Sequence, residues 1–191
     1  MADTMLRTHP LEAWTATLAE LPDTVRITPE PYVAMADLRV PPAAADGLTV
    51  RGTPLPTGAG TWTPTADGRL VWLGPDEWLL TSTGTAPELL EAELREQLRP
   101  LGGTAVDVSA QRIGLRIGGP RARDVLAKGC SVDLHPRAFP AGRSAQTTLG
   151  QAGVVLLSLD DDEFAVLVRS SFAGYLATWL LDAGLEYAPL G

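Results

Sequence analysis

The chain reads as an α+β fold built from a duplicated β-α-β-β-β-α unit, and three observations predict it. Runs with two-residue alternation are interleaved with leucine stripes at three- and four-residue spacing, so strand and helix periods coexist. VWLGPDEWLL at 71–80 is echoed by LSLDDDEFAV at 157–166, which lays Asp76-Glu77-Trp78 over Asp162-Glu163-Phe164 at an offset of 86 residues (164 − 78). The offset persists into the following helices, where Leu90 falls on Leu176 and Leu94 on Leu180. Upstream, Leu38-Arg39-Val40 before Pro-Pro resembles Leu115-Arg116-Ile117 before Gly-Gly-Pro, 77 residues on (115 − 38), and a loop insertion accounts for the shorter step.

The elements follow in order. Leu11, Trp14, Leu18 and Leu21 form an amphipathic helical stripe that Pro22 stops. Residues 23–31 are polar and marked by Pro29 and Pro31, which predicts a stiff extended connection. The first thirty-one residues are therefore expected to be a helix and an arm outside one duplicated domain at 32–191, whose halves run from about 32 to 102 and from 103 to 191. Tyr32–Val40 is the first strand, and Pro41-Pro42 opens an Ala-rich segment ending at Gly47. Ala66-Asp67-Gly68 is a hairpin turn between strands at 61–63 and 70–73. Gly74-Pro75-Asp76 turns the chain into a further strand, Glu77–Ser82. Leu89, Leu90, Leu94 and Leu98 mark a helix between Pro87 and Gly102.

The second half repeats the plan. Gln111–Ile117 alternates as a strand, Gly118-Gly119-Pro120 breaks it, and a helix runs from there to about Lys128, with Gly129 as its stop. After a loop rich in turn residues come strands at Ser144–Leu149, Val154–Leu159 and Glu163–Val168, then a helix carrying Phe172, Leu176, Trp179, Leu180 and Leu185. Because Trp78 shares its place with Phe164, it is expected to be a buried anchor rather than a stacking platform, and Trp72 is read the same way.

Composition bounds the function. A chain of 191 residues with 45% hydrophobic and 20% charged residues is ordinary for one globular domain. Its 15 Lys and Arg against 23 Asp and Glu leave a net charge of −8, which speaks against nucleic acid as a partner. Cys130 is the single cysteine, so no internal disulfide forms. No apolar run has the length of a membrane span, and the N-terminus carries acids and Pro10 where a signal peptide would be apolar; a cytoplasmic protein is expected.

Four candidate chemistries are present, each with a plainer alternative. Cys130, Asp133 and His135 lie close in sequence, but no nucleophile signature surrounds the cysteine. One Cys and two His, one of them His9, do not assemble a tetrahedral metal set. Gly118-Gly119-Pro120 follows a strand and opens a helix, as phosphate cradles do, yet it lacks the glycine spacing and the lysine of those motifs. Asp160-Asp161-Asp162 lacks the alternate spacing of a calcium loop and reads as a solvated turn. No residue of this chain is assigned a catalytic, cofactor-binding or metal-binding role.

Two segments resemble a known family. LGPDEWLL at 73–80 and the long run from Asp107 to Leu149 are similar to the gamma subunit of heterotetrameric sarcosine oxidase, above all in Gly119-Pro120-Arg121-Ala122, Leu126-Ala127-Lys128-Gly129-Cys130 and the stretch from Asp133 to Phe139. The likeness continues through Asp161-Asp162-Glu163-Phe164 and Arg169-Ser170-Ser171-Phe172 to Trp179, and before Tyr32 it is confined to His9-Pro10-Leu11. It implies an accessory chain, bound to alpha, beta and delta subunits, in a complex that oxidises sarcosine to glycine. The one-carbon unit passes to tetrahydrofolate or leaves as formaldehyde, and oxygen becomes hydrogen peroxide. FAD, FMN, NAD, zinc and tetrahydrofolate would belong to the other subunits, with none in this chain. The family's fold is similar to the folate-binding domain of the glycine-cleavage aminomethyltransferase, itself a duplicated α+β unit.

The same relationship supplies a departure. Aminomethyltransferases carry Gly-Gly, two apolar residues and Asp-Asp at the strand of their chemistry, whereas the matching segment here, Gln151–Leu157, places Leu156 and Leu157 at the acidic positions. An apolar pair offers no charge to a substrate amine, which favours a structural role. A free-standing folate-binding protein of the aminomethyltransferase type is the alternative, and an interaction module for another dehydrogenase is a third reading.

Overall fold

A computed structural model of the chain describes residues 8–188. Strands β1 (Arg26–Pro29), β2 (Ala34–Arg39), the short helix α2 (Pro42–Ala45) and the small hairpin β3 (Thr49–Val50) with β4 (Thr53–Pro54) follow an N-terminal 3-10 turn and helix α1 (Thr15–Ala19). Strands β5 (Trp62–Pro64), β6 (Gly68–Gly74) and β7 (Glu77–Ser82) and helix α3 (Pro87–Leu98) complete the first half. The second half comprises β8 (Thr104–Asp107), β9 (Arg112–Gly118), α4 (Ala122–Ala127), β10 (Ser144–Leu149), β11 (Ala152–Asp160), β12 (Glu163–Arg169) and α5 (Ala173–Leu185).

Two five-stranded sheets result, in the orders β5-β6-β7-β2-β8 and β10-β11-β12-β9-β1. The orders correspond strand for strand, and so do the registers: Leu38 opposes Trp78 as Ile117 opposes Phe164. This is the expected duplication with one addition and one shift: Leu38 corresponds to Ile117, 79 residues on (117 − 38), rather than to Leu115. Each unit begins with a strand that hydrogen-bonds in the other unit's sheet, β1 along β9 and β8 along β2. The unit is thus β-β-α-β-β-β-α. Neither leading strand was expected from the sequence, because four residues such as RITP and TAVD are too short to show a period.

Residues are sorted by the two-residue alternation of the strands. On its outer face the first sheet turns Ala36, Leu38, Leu70, Trp78 and Leu80 to Leu90, Leu94 and Leu98 of α3. The second sheet turns Ile113, Leu115, Ile117, Phe164 and Val166 to α1, α4 and α5. The inner faces meet through Met35, Val71, Leu73 and Leu79 from one sheet and Val155, Leu157, Ala165 and Leu167 from the other. Four layers follow, helix on sheet on sheet on helix. Trp78 is 1% exposed and donates its Nε1–H to the Pro56 carbonyl at 2.7 Å, so it is the core anchor the repeat implied. Trp72 pairs across strands with Trp78 and packs partly buried against the same core.

The N-terminal segment departs from the reading of an outward arm; its first seven residues lie outside those described. Leu11 and Leu18 are buried in the second half's core. Trp14 rests on Gly174 and Leu21 on Gly184, where a Cβ would meet each side chain at 2.9 Å, so small residues on α5 open the grooves that receive the stripe. After Pro22 the chain continues into β1, whose backbone completes the open edge of β9. Covering that edge and burying the stripe outweigh extension into water.

Candidate functional site

The space between the sheets is where side chains of the two halves converge, and its middle is closed by the eight apolar residues of the inner faces. Leu157 lies among them, fully buried, while Leu156 on the opposite face of β11 belongs to the core under α5. Both leucines are therefore packing residues where an acidic pair would have to be solvated or ion-paired. Polar groups occupy the two mouths of this space, clefts of about 320 and 360 Å³.

The first mouth is lined by Glu30, Val33, Asp67, Gly68, Arg69, Thr83 and Arg116 among others. Arg69 donates to both Glu30 carboxylate oxygens, at 2.9 and 2.6 Å, in the two-pronged geometry that makes guanidinium–carboxylate pairs strong. Arg116 of the other sheet approaches the same carboxylate at 3.8 Å. Glu30 thus closes the mouth by joining both sheets.

The second mouth is lined by Arg112, Gln146, Thr147, Gly153, Val154 and Arg169. Arg112 and Arg169 are directly opposed in the ladder of β9 and β12. Gln146 reaches across to the first sheet, donating to the Leu73 carbonyl at 2.7 Å. Burial, and then the adjacent Arg169 charge, draw the Arg112 guanidinium below its ordinary pKa. Facing Arg112 are Asp37 and Glu77, which share a hydrogen bond and are both held by Arg39, at 3.6 and 2.9 Å. Burial, and then the neighbouring Glu77 charge, raise the Asp37 carboxyl to about 6.

The residues singled out from sequence lie elsewhere. Cys130 sits half-buried with its Sγ 3.9 Å from the Thr147 hydroxyl. Asp133 accepts the His135 backbone N–H at 2.9 Å and His135 Nδ1 accepts that of Arg137 at 3.2 Å, so both shape their loop. His9 donates from Nε2 to the Glu30 carbonyl and accepts the Leu11 N–H at Nδ1, each at 3.1 Å, fastening the N-terminal segment to the end of β1. Among the described residues, no group of three or more His, Cys, Asp or Glu is placed to hold a metal.

At Gly119 the backbone has φ +110°, and a Cβ would lie 2.5 Å from the Thr24 carbonyl oxygen. The turn it makes shares its cleft with Asp160, Asp161, Asp162 and Glu163 against one cation, Arg26, a charge balance that disfavours phosphate. Asp161 at the tip accepts from Arg123 through its carbonyl and lies exposed, as a solvated turn should. The arginines of the second mouth were not singled out from sequence. The signal was present in Gln111–Ile117, where Arg112 and Arg116 take the positions that alternate with buried Ile113, Leu115 and Ile117.

A duplicated α+β chain with exchanged leading strands and an apolar seam between its sheets has the aminomethyltransferase type of fold. The glycine-cleavage aminomethyltransferase T of Bartonella henselae superimposes with a TM-score of 0.60 at 15% identity, covering 88% of this chain and 48% of that one. The particular family is set by closer relatives: the pattern of the sarcosine oxidase, gamma subunit family matches residues 36–186, and the chain belongs to that family. The sarcosine oxidase subunit gamma of Corynebacterium sp. strain P-1 is 41% identical over 140 residues, 72% of this chain and 67% of that protein. Its counterpart from Arthrobacter sp. is 40% identical over 141 residues, with the same coverage. A chain of the heterotetrameric sarcosine oxidase from Corynebacterium sp. U-96, solved in complex with pyrrole 2-carboxylate, superimposes with a TM-score of 0.84 at 32% identity, covering 97% of this chain and 98% of that one. No helix among the described residues is long and apolar enough to cross a membrane.

Proposed function

We propose that this chain is the accessory, non-catalytic gamma subunit of a cytoplasmic heterotetrameric sarcosine oxidase, assembled with alpha, beta and delta subunits. The complex demethylates sarcosine oxidatively to glycine, with the one-carbon unit taken by tetrahydrofolate or released as formaldehyde and oxygen reduced to hydrogen peroxide. FAD, FMN, NAD, zinc and tetrahydrofolate are held by the partners.

Family membership supports the subunit assignment. The observation that carries the non-catalytic reading is the filled seam: Val155, Leu157, Ala165 and Leu167 interlock with Met35, Val71, Leu73 and Leu79, which leaves no open cavity for a small molecule between the sheets' centres. The Gly118-Gly119-Pro120 turn, set against four acids, is likewise a poor seat for a dinucleotide phosphate.

Co-expression tests the assignment. The purified chain alone should show no flavin absorbance and no sarcosine-dependent peroxide, and co-expression with the other three subunits should give a stable active complex. Flavin in the lone chain, or an active complex that forms without it, would refute the reading. Calorimetry with tetrahydrofolate addresses the alternative: micromolar binding to the isolated chain would establish a folate protein instead.

A further inference from the structure

The two mouths of the inter-sheet space are equivalent places in the duplicated fold, yet their charged residues differ: two carboxylates and two arginines line the first, whereas two arginines and no carboxylate line the second. The registers fix the correspondence. Glu30, opposite Gly114 at the end of β1, matches Val108, opposite Met35 at the end of β8; their backbone N–H groups donate to those partners' carbonyls at 2.9 and 2.8 Å. Through the sheet ladders Val33 then matches Arg112, Thr83 matches Arg169, and Asp67 matches Gly153.

The first mouth therefore carries two carboxylates, and one of them, Glu30, is gripped by Arg69. In the second, a valine and a glycine replace both carboxylates, while arginines replace a valine and a threonine. Val108 packs toward the apolar seam, and a Cβ built on Gly153 would meet nothing within 4 Å, so the floor beside Arg169 is open. Like charges directly opposed across a ladder repel, and neither Arg112 nor Arg169 has a salt-bridge partner among the described residues. Asp37 and Glu77 face Arg112, but both are engaged by Arg39 and neither reaches Arg169. Among the described residues other arginines also lack a salt bridge, but these two are set directly opposite one another in a strand ladder, and Arg112 donates only to the neutral Gln111 Oε1, at 3.1 Å.

We propose that the second mouth is a carboxylate-binding site, in which Arg112 and Arg169 take a carboxylate supplied from outside the chain, the counterpart of the Glu30 carboxylate that the first mouth supplies for itself. Gln146 bounds the site and Gly153 leaves room for the bound group. Two sources share this chemistry, a free small organic acid and an Asp or Glu side chain of a partner subunit.

Isothermal titration of the full chain with succinate, at constant ionic strength, distinguishes them. A free acid gives saturable binding that Arg112→Gln and Arg169→Gln each weaken at least about tenfold, the loss of one charge-assisted hydrogen bond. Arg95→Gln, on the outer helix α3, is the control and leaves binding unchanged. Circular dichroism and the melting midpoint confirm that the variants fold. If succinate does not bind, but the folded arginine variants fail to assemble with the other oxidase subunits while Arg95→Gln assembles, the carboxylate belongs to a partner. Folded variants that alter neither binding nor assembly overturn the proposal. The titration does not depend on the assignment as an oxidase subunit, so the two readings fail separately.

Discussion

Trp78 and Phe164 fill equivalent places in two separate half-cores, each opposite a buried aliphatic residue of the neighbouring strand, Leu38 in one and Ile117 in the other. The rings differ in what else they do. Trp78 spends its indole N–H on the Pro56 carbonyl, whereas Phe164 lies under the Arg123 guanidinium, 4.9 Å from its centroid.

Truncating either ring should therefore cost much the same. Trp78→Ala and Phe164→Ala are each expected to destabilise the fold by about 3–5 kcal/mol, measured by urea denaturation. Trp78→Phe should cost less, retaining ring volume but leaving the Pro56 carbonyl without its donor. An unchanged midpoint for Trp78→Ala would contradict the burial.

The N-terminal stripe makes a second prediction, because its leucines are core residues of the second half. Leu11→Ala and Leu18→Ala should each lower stability by about 2–5 kcal/mol. Native-state hydrogen exchange should show β1 and β9 losing protection together. A chain lacking residues 1–22 that melts like the full chain would instead establish a detachable arm.

These two predictions mark what was legible in the sequence. The duplication could be read because each half repeats a strong pattern, an apolar strand, a tight turn with acids and an aromatic, at one spacing. The stripe at Leu11, Trp14, Leu18 and Leu21 was legible as apolar, but its destination was not. That depends on Gly174 and Gly184 lying in register beneath Trp14 and Leu21, a fact of three dimensions. The second mouth was hidden for the same reason. Arg112 and Arg169 are 57 residues apart (169 − 112) and become neighbours only through the pairing of β9 with β12.

A third prediction concerns pH. The folded pKa of Asp37, raised to about 6 by burial and Glu77, lies above its ordinary value of 3.8, so the folded state holds this proton more tightly than the unfolded chain. Its contribution favours the fold at low pH and is lost as pH rises through about 6. Asp37→Asn removes that dependence. The stability of the variant relative to the native protein should increase between pH 4 and 7 and level off above, as followed by denaturation midpoints; a difference that does not change with pH would show that Asp37 ionises normally.

A fourth prediction rests on Gly119, whose φ of +110° and 2.5 Å approach to the Thr24 carbonyl leave no place for a side chain. Gly119→Ala should cost at least about 1–3 kcal/mol, lowering the melting midpoint by roughly 2–4 °C for each kcal/mol in a chain of this size. A midpoint equal to that of the native chain would show that the turn relaxes freely.

The exchange of leading strands also constrains how the protein can be made. Ile27 must find Ile117, ninety residues later (117 − 27), and until β8 emerges the free edge of β2 has no partner. A first half leaving the ribosome is therefore a sheet with an open hydrogen-bonding edge and a stray strand, and such edges invite pairing with other chains. The first sheet can close once β8 has emerged, but the second waits for β9 to β12, so the interlock is completed only when most of the chain has been made and forms through long-range contacts, which slow it. The same interlock that joins the two halves leaves the nascent chain with an unpaired edge until its later strands arrive.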